Sequence, residues 1–205
     1  MTMRKPLSFG SLFAGIGGFD LAFTRAAMRG LWNVESDANC RKLLAAKFPD
    51  AVQFDDVRTV GAHNLAPVDL ICGGWPCQDL SVAGRRAGLA GARSGLFYEL
   101  IRILRELRPR YFIGENVPGL LSSHDGRDFA RVIGELGELG ARDIAWASLD
   151  ARWFGLAQRR QRVFIVVDFG GERAGEILSF SESLRGHTAQ SREAREETAG
   201  TLGGS

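Results

Sequence analysis

The sequence predicts a doubly wound α/β domain on a mostly parallel, seven-stranded sheet. Short apolar runs alternate with helical patterns from Leu7 to Phe169. A glycine-rich turn separates the first apolar run from the first helix, and the residues with most chemistry fall just after predicted strands, where open sheets bind ligands. At 205 residues, 45% hydrophobic and 24% charged, the chain is long enough to bury a real core.

Residues 7–13 read as the first strand and 14–18 as a turn. A helix over 19–29 places Phe19, Ala22, Phe23 and Ala26 on one face. Residues 32–34 form a short second strand ending at Glu35, and a helix over 39–48 stops before Pro49. Residues 52–54 and 68–72 give a third and a fourth strand, and a loop rich in Gly and Arg runs to Arg93. Leu96, Phe97, Leu100, Ile101, Leu104 and Leu107 recur at helical spacing until Pro109. Residues 111–113 are the fifth strand, Phe129 to Leu139 mark another helix, and 144–149 and 162–169 are the last two strands. Beyond Gly171 the charge is scattered and no period builds another layer. The domain is therefore set at residues 1–171, with 172–205 a polar extension or linker.

Three cysteines, Cys40, Cys72 and Cys77, are an odd and dispersed set that argues against a disulfide framework and for a reducing cytosol. No apolar run reaches the roughly 20 residues of a membrane span, and residues 1–11 lack a signal peptide's apolar stretch. The expectation is a soluble, cytoplasmic protein without a membrane partner. The net charge of +2 is small, but residues 85–162 hold 14 arginines and no lysine against 9 acids. Guanidinium forks suit phosphate. A GC-rich coding sequence would also favour arginine everywhere, as 23 Arg against 3 Lys suggests.

Gly15, Gly17 and Gly18 let backbone approach a ligand at a helix N-terminus. Glu35, 20 residues after Gly15, suits ribose hydroxyls, and Asp56 suits an adenine amino group. Asp20 stands where a dinucleotide fingerprint has its third glycine; an acid there would repel a pyrophosphate, which favours a cofactor without one. Cys77, in Gly73-Gly74-Trp75-Pro76-Cys77-Gln78, is a candidate nucleophile if nearby positive charge favours its thiolate, and Arg85, Arg86 and Arg93 are near in sequence. Glu115, in Glu115-Asn116-Val117, is a candidate acid at the same sheet edge. Gln158, Arg160 and Arg162 form a basic element entering the last strand.

These motifs, in this order, resemble the cytosine-5 DNA methyltransferases. Leu12 to Gly18 looks like that family's cofactor turn, Gly73 to Gln78 its Pro-Cys loop, Glu115 to Val117 its Glu-Asn-Val motif, and Gln158 to Arg162 its Gln-x-Arg-x-Arg motif. The resemblance spans residues 7–169. It implies a Rossmann-like, S-adenosylmethionine-dependent methyltransferase fold of bacterial or phage restriction-modification type, acting at the nucleoid on a cytosine flipped out of duplex DNA. It also implies that Cys77 adds to cytosine C6 while Glu115 protonates or hydrogen-bonds N3. Arg160 and Arg162 would hold the flipped nucleotide, and Gln78, Asn116 and Gln158 would contact substrate or DNA. On the cofactor side it implies Phe13, Gly15, Gly17, Glu35, Asp56, Val57 and Leu96; no metal is expected.

Ser36 departs from the bulky apolar residue the family often places after its ribose-binding acid, and Val57 is expected to supply adenine contact instead. Nothing after Gly171 resembles the family's recognition domain or its closing motif. That leads to the expectation of a truncated product or a split enzyme completed in trans by a C-terminal half or recognition subunit. Two further readings stay open: methylation of cytosine in RNA such as tRNA, and a non-catalytic cofactor-binding remnant. A nicotinamide-dependent oxidoreductase would use the Gly15–Glu35 site but leaves the Pro-Cys loop unexplained.

Overall fold

The computed structural model describes residues 5–76 and 95–179. Cys77, Gln78, Arg85, Arg86, Arg93 and residues 180–205 lie outside the described residues.

Seven strands form one sheet in the order β3-β2-β1-β4-β5-β7-β6. They are β1 (Ser8–Leu12), β2 (Arg29–Val34), β3 (Val52–Phe54), β4 (Leu70–Gly74), β5 (Tyr111–Asn116), β6 (Asp143–Asp150) and β7 (Gln161–Asp168). The first five pair in parallel, whereas β7 enters antiparallel between β5 and β6, with Asn116 opposite Val163 and Tyr111 opposite Asp168. The carboxyl ends of β1, β2, β4 and β5 therefore share an edge with the start of β7. The opposite edge carries the start of β5 and the end of β7.

The helices are α1 (Gly18–Arg25), α2 (Ala38–Lys47), α3 (Leu96–Leu107), α4 (Arg127–Glu138) and α5 (Ala174–Leu178). On one face of the sheet, Leu12, Trp32, Ile71 and Phe112 pack with Phe97, Leu100, Ile101 and Leu104 of α3 and Val132 and Leu136 of α4 in the main core. On the other, Phe9, Leu70, Cys72 and Tyr111 meet Phe19 and Phe23 of α1. Gly10 makes room for an indole: a Cβ there would lie 2.1 Å from the Trp32 ring. That indole donates from Nε1 to the Ala66 carbonyl at 2.8 Å.

Helix α3 has the bounds that its period predicts. The first helix ends at Arg25 rather than Arg29, and β2 begins three residues earlier than expected. Ala27 turns left-handed at φ 59°, and the Arg29 amide donates to Leu7 O at 2.9 Å, so pairing with β1 takes residues the helical pattern had claimed. Ala22 and Ala26 are exposed, and Asp20 is the buried residue of α1, at 2% exposure. Its carboxyl lies inside the protein, where burial pushes its pKa up. The stretch after Gly171 opens with α5, seated on the sheet through buried Ala174, whose amide donates to Asp143 Oδ2 at 2.7 Å. Among the described residues, no helix is long and apolar enough to cross a membrane.

Candidate active site

The cofactor-type turn follows β1 directly. Phe13, Gly15 and Gly17 adopt left-handed φ of 53°, 55° and 85°, and the Gly17 amide closes the turn on Ala14 O at 2.9 Å. A Cβ on Gly17 would press into Phe48 at 2.6 Å and Leu44 at 2.9 Å. One on Gly15 would meet nothing within 4 Å, so the turn is packed from behind and open in front. Phe13 is half-buried against the main core.

Glu35, one residue past β2, folds its carboxylate onto this turn. Oε2 accepts from the Gly15 amide at 2.7 Å and Oε1 from the Asp37 amide at 2.8 Å. The Arg41 guanidinium donates to the Glu35 and Ser36 carbonyls at 2.9 and 2.6 Å. Asp37 caps α2 by accepting from the Asn39 and Cys40 amides, and these hold its pKa below the usual carboxylate range.

Asp56 caps the 3₁₀ turn Val57–Thr59, accepting from the Arg58 amide at 2.9 Å, and remains accessible. Val57 is 5% exposed and belongs to the main core. Arg102 of α3 fixes this corner by donating to the Val57 and Val60 carbonyls at 3.1 and 2.8 Å while pairing with Glu99 and Glu106. Leu96 opens α3, half-buried against the core.

The segment that leads to Cys77 leaves β4 at Gly74. A Cβ there would lie 2.7 Å from Glu115 Oε2, so glycine lets the Glu115 carboxylate rest across the strand's end. Glu115 Oε1 pairs with Arg162 Nε at 2.8 Å, both side chains about one-quarter exposed. The antiparallel register explains this meeting: Glu115 faces Phe164, and Arg162, two residues away, points to the same side of β7. Arg162 Nη1 also donates to Gln161 O at 2.7 Å. Arg160 and Gln158 lie exposed on the preceding loop, where the Arg160 carbonyl accepts from the Ala151 amide at 3.0 Å.

Asn116 corrects an expectation. It is 3% exposed and both ends of its amide are engaged: Nδ2 donates to Trp75 O at 2.9 Å and Oδ1 accepts from the Val117 amide at 2.9 Å. Burial turns it from a DNA contact into a brace for the segment that leads to Cys77. Trp75 itself is 3% exposed and packs on Phe97 and Phe112.

A single sheet edge thus joins a glycine turn under a carboxylate, a segment braced at Trp75 and an acid paired with arginine. The sequence model for C-5 cytosine-specific DNA methylases matches residues 7–191. The chain belongs to the C-5 cytosine-specific DNA methylase family. Among its curated relatives in this family, the Type II methyltransferase M.AquIA of Picosynechococcus sp. is 32% identical, over 93% of this chain and 81% of that protein. M.HpaII of Haemophilus parainfluenzae is 34% identical, over 87% of this chain and 50% of the relative. The Dnmt2 methyltransferase of S. pombe has the same fold, with a TM-score of 0.61 and 17% identity over 81% of this chain and 50% of that one. This methylase chain therefore spans about half the length of M.HpaII and of Dnmt2.

The pairing of Glu115 with Arg162 is what motif reading missed, having assigned the arginine to the nucleotide. The signal that finds it is the two-residue period of β7, once the strand's reversed direction is known.

Proposed function

We propose that this chain carries the methyl-transferring part of a DNA cytosine-5 methyltransferase of the Type II kind, with S-adenosylmethionine as donor. The observation that carries the reading is the Glu115–Arg162 pair lying across Gly74, beside the root of the loop that continues to Cys77. The residues also fit the cofactor. Gly15 leaves open space over a turn whose back is filled, Glu35 sits above it with carboxylate lone pairs to offer ribose hydroxyls, and Asp56 is accessible for the adenine amine.

In this reading a cytosine leaves the duplex to reach the edge, because its C6 is inaccessible in the stack. The Cys77 thiolate adds to C6, forming a C–S bond as electron density moves toward N3. Glu115 in its protonated form donates a hydrogen bond or its proton to N3 through one oxygen while Arg162 holds the other, and it takes that proton back when the C–S bond breaks. When bound, S-adenosylmethionine supplies an electrophilic methyl group, to which C5 is now nucleophilic. A base then removes the C5 proton and the C–S electron pair returns to sulfur, freeing Cys77. Arg160 and Gln158, exposed next to Arg162, serve the nucleotide's phosphate or base carbonyl.

The deciding experiment incubates the chain with duplex DNA containing 5-fluorocytosine and S-adenosylmethionine. A covalent complex that disappears in Cys77→Ser supports the mechanism, and equal trapping by the serine variant overturns the nucleophile assignment. Calorimetry tests the cofactor side: Glu35→Ala weakens S-adenosylmethionine binding, and an unchanged affinity removes Glu35 from the site.

A further inference from the structure

The excess of arginine in residues 85–162 does not all lie beside the proposed chemistry. At the opposite edge of the sheet, where α3 and α4 end, β5 starts and β7 finishes, an open cleft of about 620 Å³ is lined by Arg105, Arg108 and Arg110. We propose that this cleft is a second ligand site, built for a phosphate-bearing small molecule of nucleotide size.

Three features support the assignment. The arginines are exposed, and among the described residues none of the three has a carboxylate partner in an ion pair. Arg102, one turn earlier on the same helix, is by contrast consumed by two glutamates and two carbonyls. The negative end of the α3 dipole accounts for one cation near its last turn, but not for both Arg105 and Arg108 beside a cleft whose one acidic lining residue is Glu138. The cleft also has an apolar side, formed by buried Leu104 and half-buried Phe169, and a volume within the usual range of small-molecule sites. Forked donors beside an aromatic face suit a phosphoryl group attached to a flat ring.

The Arg110 stem lines the cleft beside Gly170, where a Cβ would come within 3.4 Å of Arg110 Cγ, while its guanidinium lies 5.0 Å from the ring centroid of Tyr111, which packs on the opposite face of the sheet. The site stands on this geometry alone and is independent of the activity proposed above.

The test is titration calorimetry of the full 205-residue chain with uridine 5′-diphosphate and with inorganic pyrophosphate, probes that lack the adenosine expected at the other edge. Both bind, and Arg105→Gln/Arg108→Gln weakens both by about ten-fold or more, as the loss of charge-assisted contacts requires. Phe169→Ala weakens the uridine nucleotide and spares pyrophosphate, while Glu35→Ala changes neither. Circular dichroism of each variant checks that the fold is kept. No binding tighter than about 1 mM, or equal binding by the double arginine variant, overturns the proposal. A short DNA duplex that binds through the same arginines and expels the nucleotide overturns the small-molecule assignment in favour of a nucleic-acid backbone.

Discussion

Asn116 of β5 donates through Nδ2 to the carbonyl oxygen of Trp75 at 2.9 Å, tying the fifth strand to the root of the segment that leads to Cys77. Asn116→Asp would set an acceptor against that carbonyl in a place only 3% exposed. The expected loss is about 1–3 kcal/mol in urea denaturation, the cost of a buried polar group without its partner. Turnover falls while S-adenosylmethionine affinity holds, because the loop root moves and the Gly15 turn does not. Unchanged stability would remove the brace.

Glu115 and Arg162 act as a unit, so their substitutions are expected to be non-additive. Glu115→Gln lowers methyl transfer by about 10²–10⁴-fold, the usual range for a positioned acid. Arg162→Gln also lowers it, and the double variant is little worse than Glu115→Gln alone. A double-mutant cycle on initial rates reads this directly. Rate losses that simply multiply would mean the 2.8 Å contact has no part in the reaction.

The two left-handed glycines of the cofactor turn should separate fold from binding. Gly17→Ala meets Phe48 and Leu44 and carries a left-handed φ, so it lowers the melting temperature. Gly15→Ala pays only the backbone cost of about 1–2 kcal/mol, since its Cβ meets no neighbour. Its larger effect is on S-adenosylmethionine affinity, because the new methyl enters the open cradle. Equal melting temperatures for the two variants would contradict this division.

Acid sensitivity has an identifiable contributor in Asp150. The Arg152 side chain, with the Arg152 amide, pulls its pKa down to about 2, below the 3.9 or so of an unfolded chain. A depressed carboxylate stabilises the native state fully above the unfolded value, and that contribution vanishes as pH falls through the folded one. Thermal melts of Asp150→Asn should therefore differ most from the native chain near neutral pH. The gap closes between about pH 4 and 2. A gap independent of pH would exclude Asp150 as the source.

Where the sequence carries a strong local signal, it reads closely. Six apolar residues at helical spacing define Leu96–Leu107, and β3 falls at Val52–Phe54 as its short apolar run predicts. The candidate site is legible to the same depth, because its motif residues follow strands and strand ends define an edge. What period and composition do not carry is side-chain direction. Asp20 and Asn116 looked available, yet both turn into the protein. Strand direction is equally silent, so nothing in residues 161–168 announces the reversal that brings Arg162 to Glu115. Nor does a count of arginines divide them between two ends of a sheet.

The reversed seventh strand also imposes an order of events on the newly made chain. β1 and β2 pair across about twenty residues, whereas Tyr111 must find Asp168 and Asn116 must find Val163. Closing longer loops costs more entropy and delays pairing. The Gly15 turn is then expected to form early, with Glu115 and Arg162 paired only when the last strand inserts. Pulse-labelled hydrogen exchange would read this as protection of Gly10–Leu12 amides before those of Val163–Val167. The fold would thereby keep its cysteine without an aligned acid until synthesis has passed residue 168.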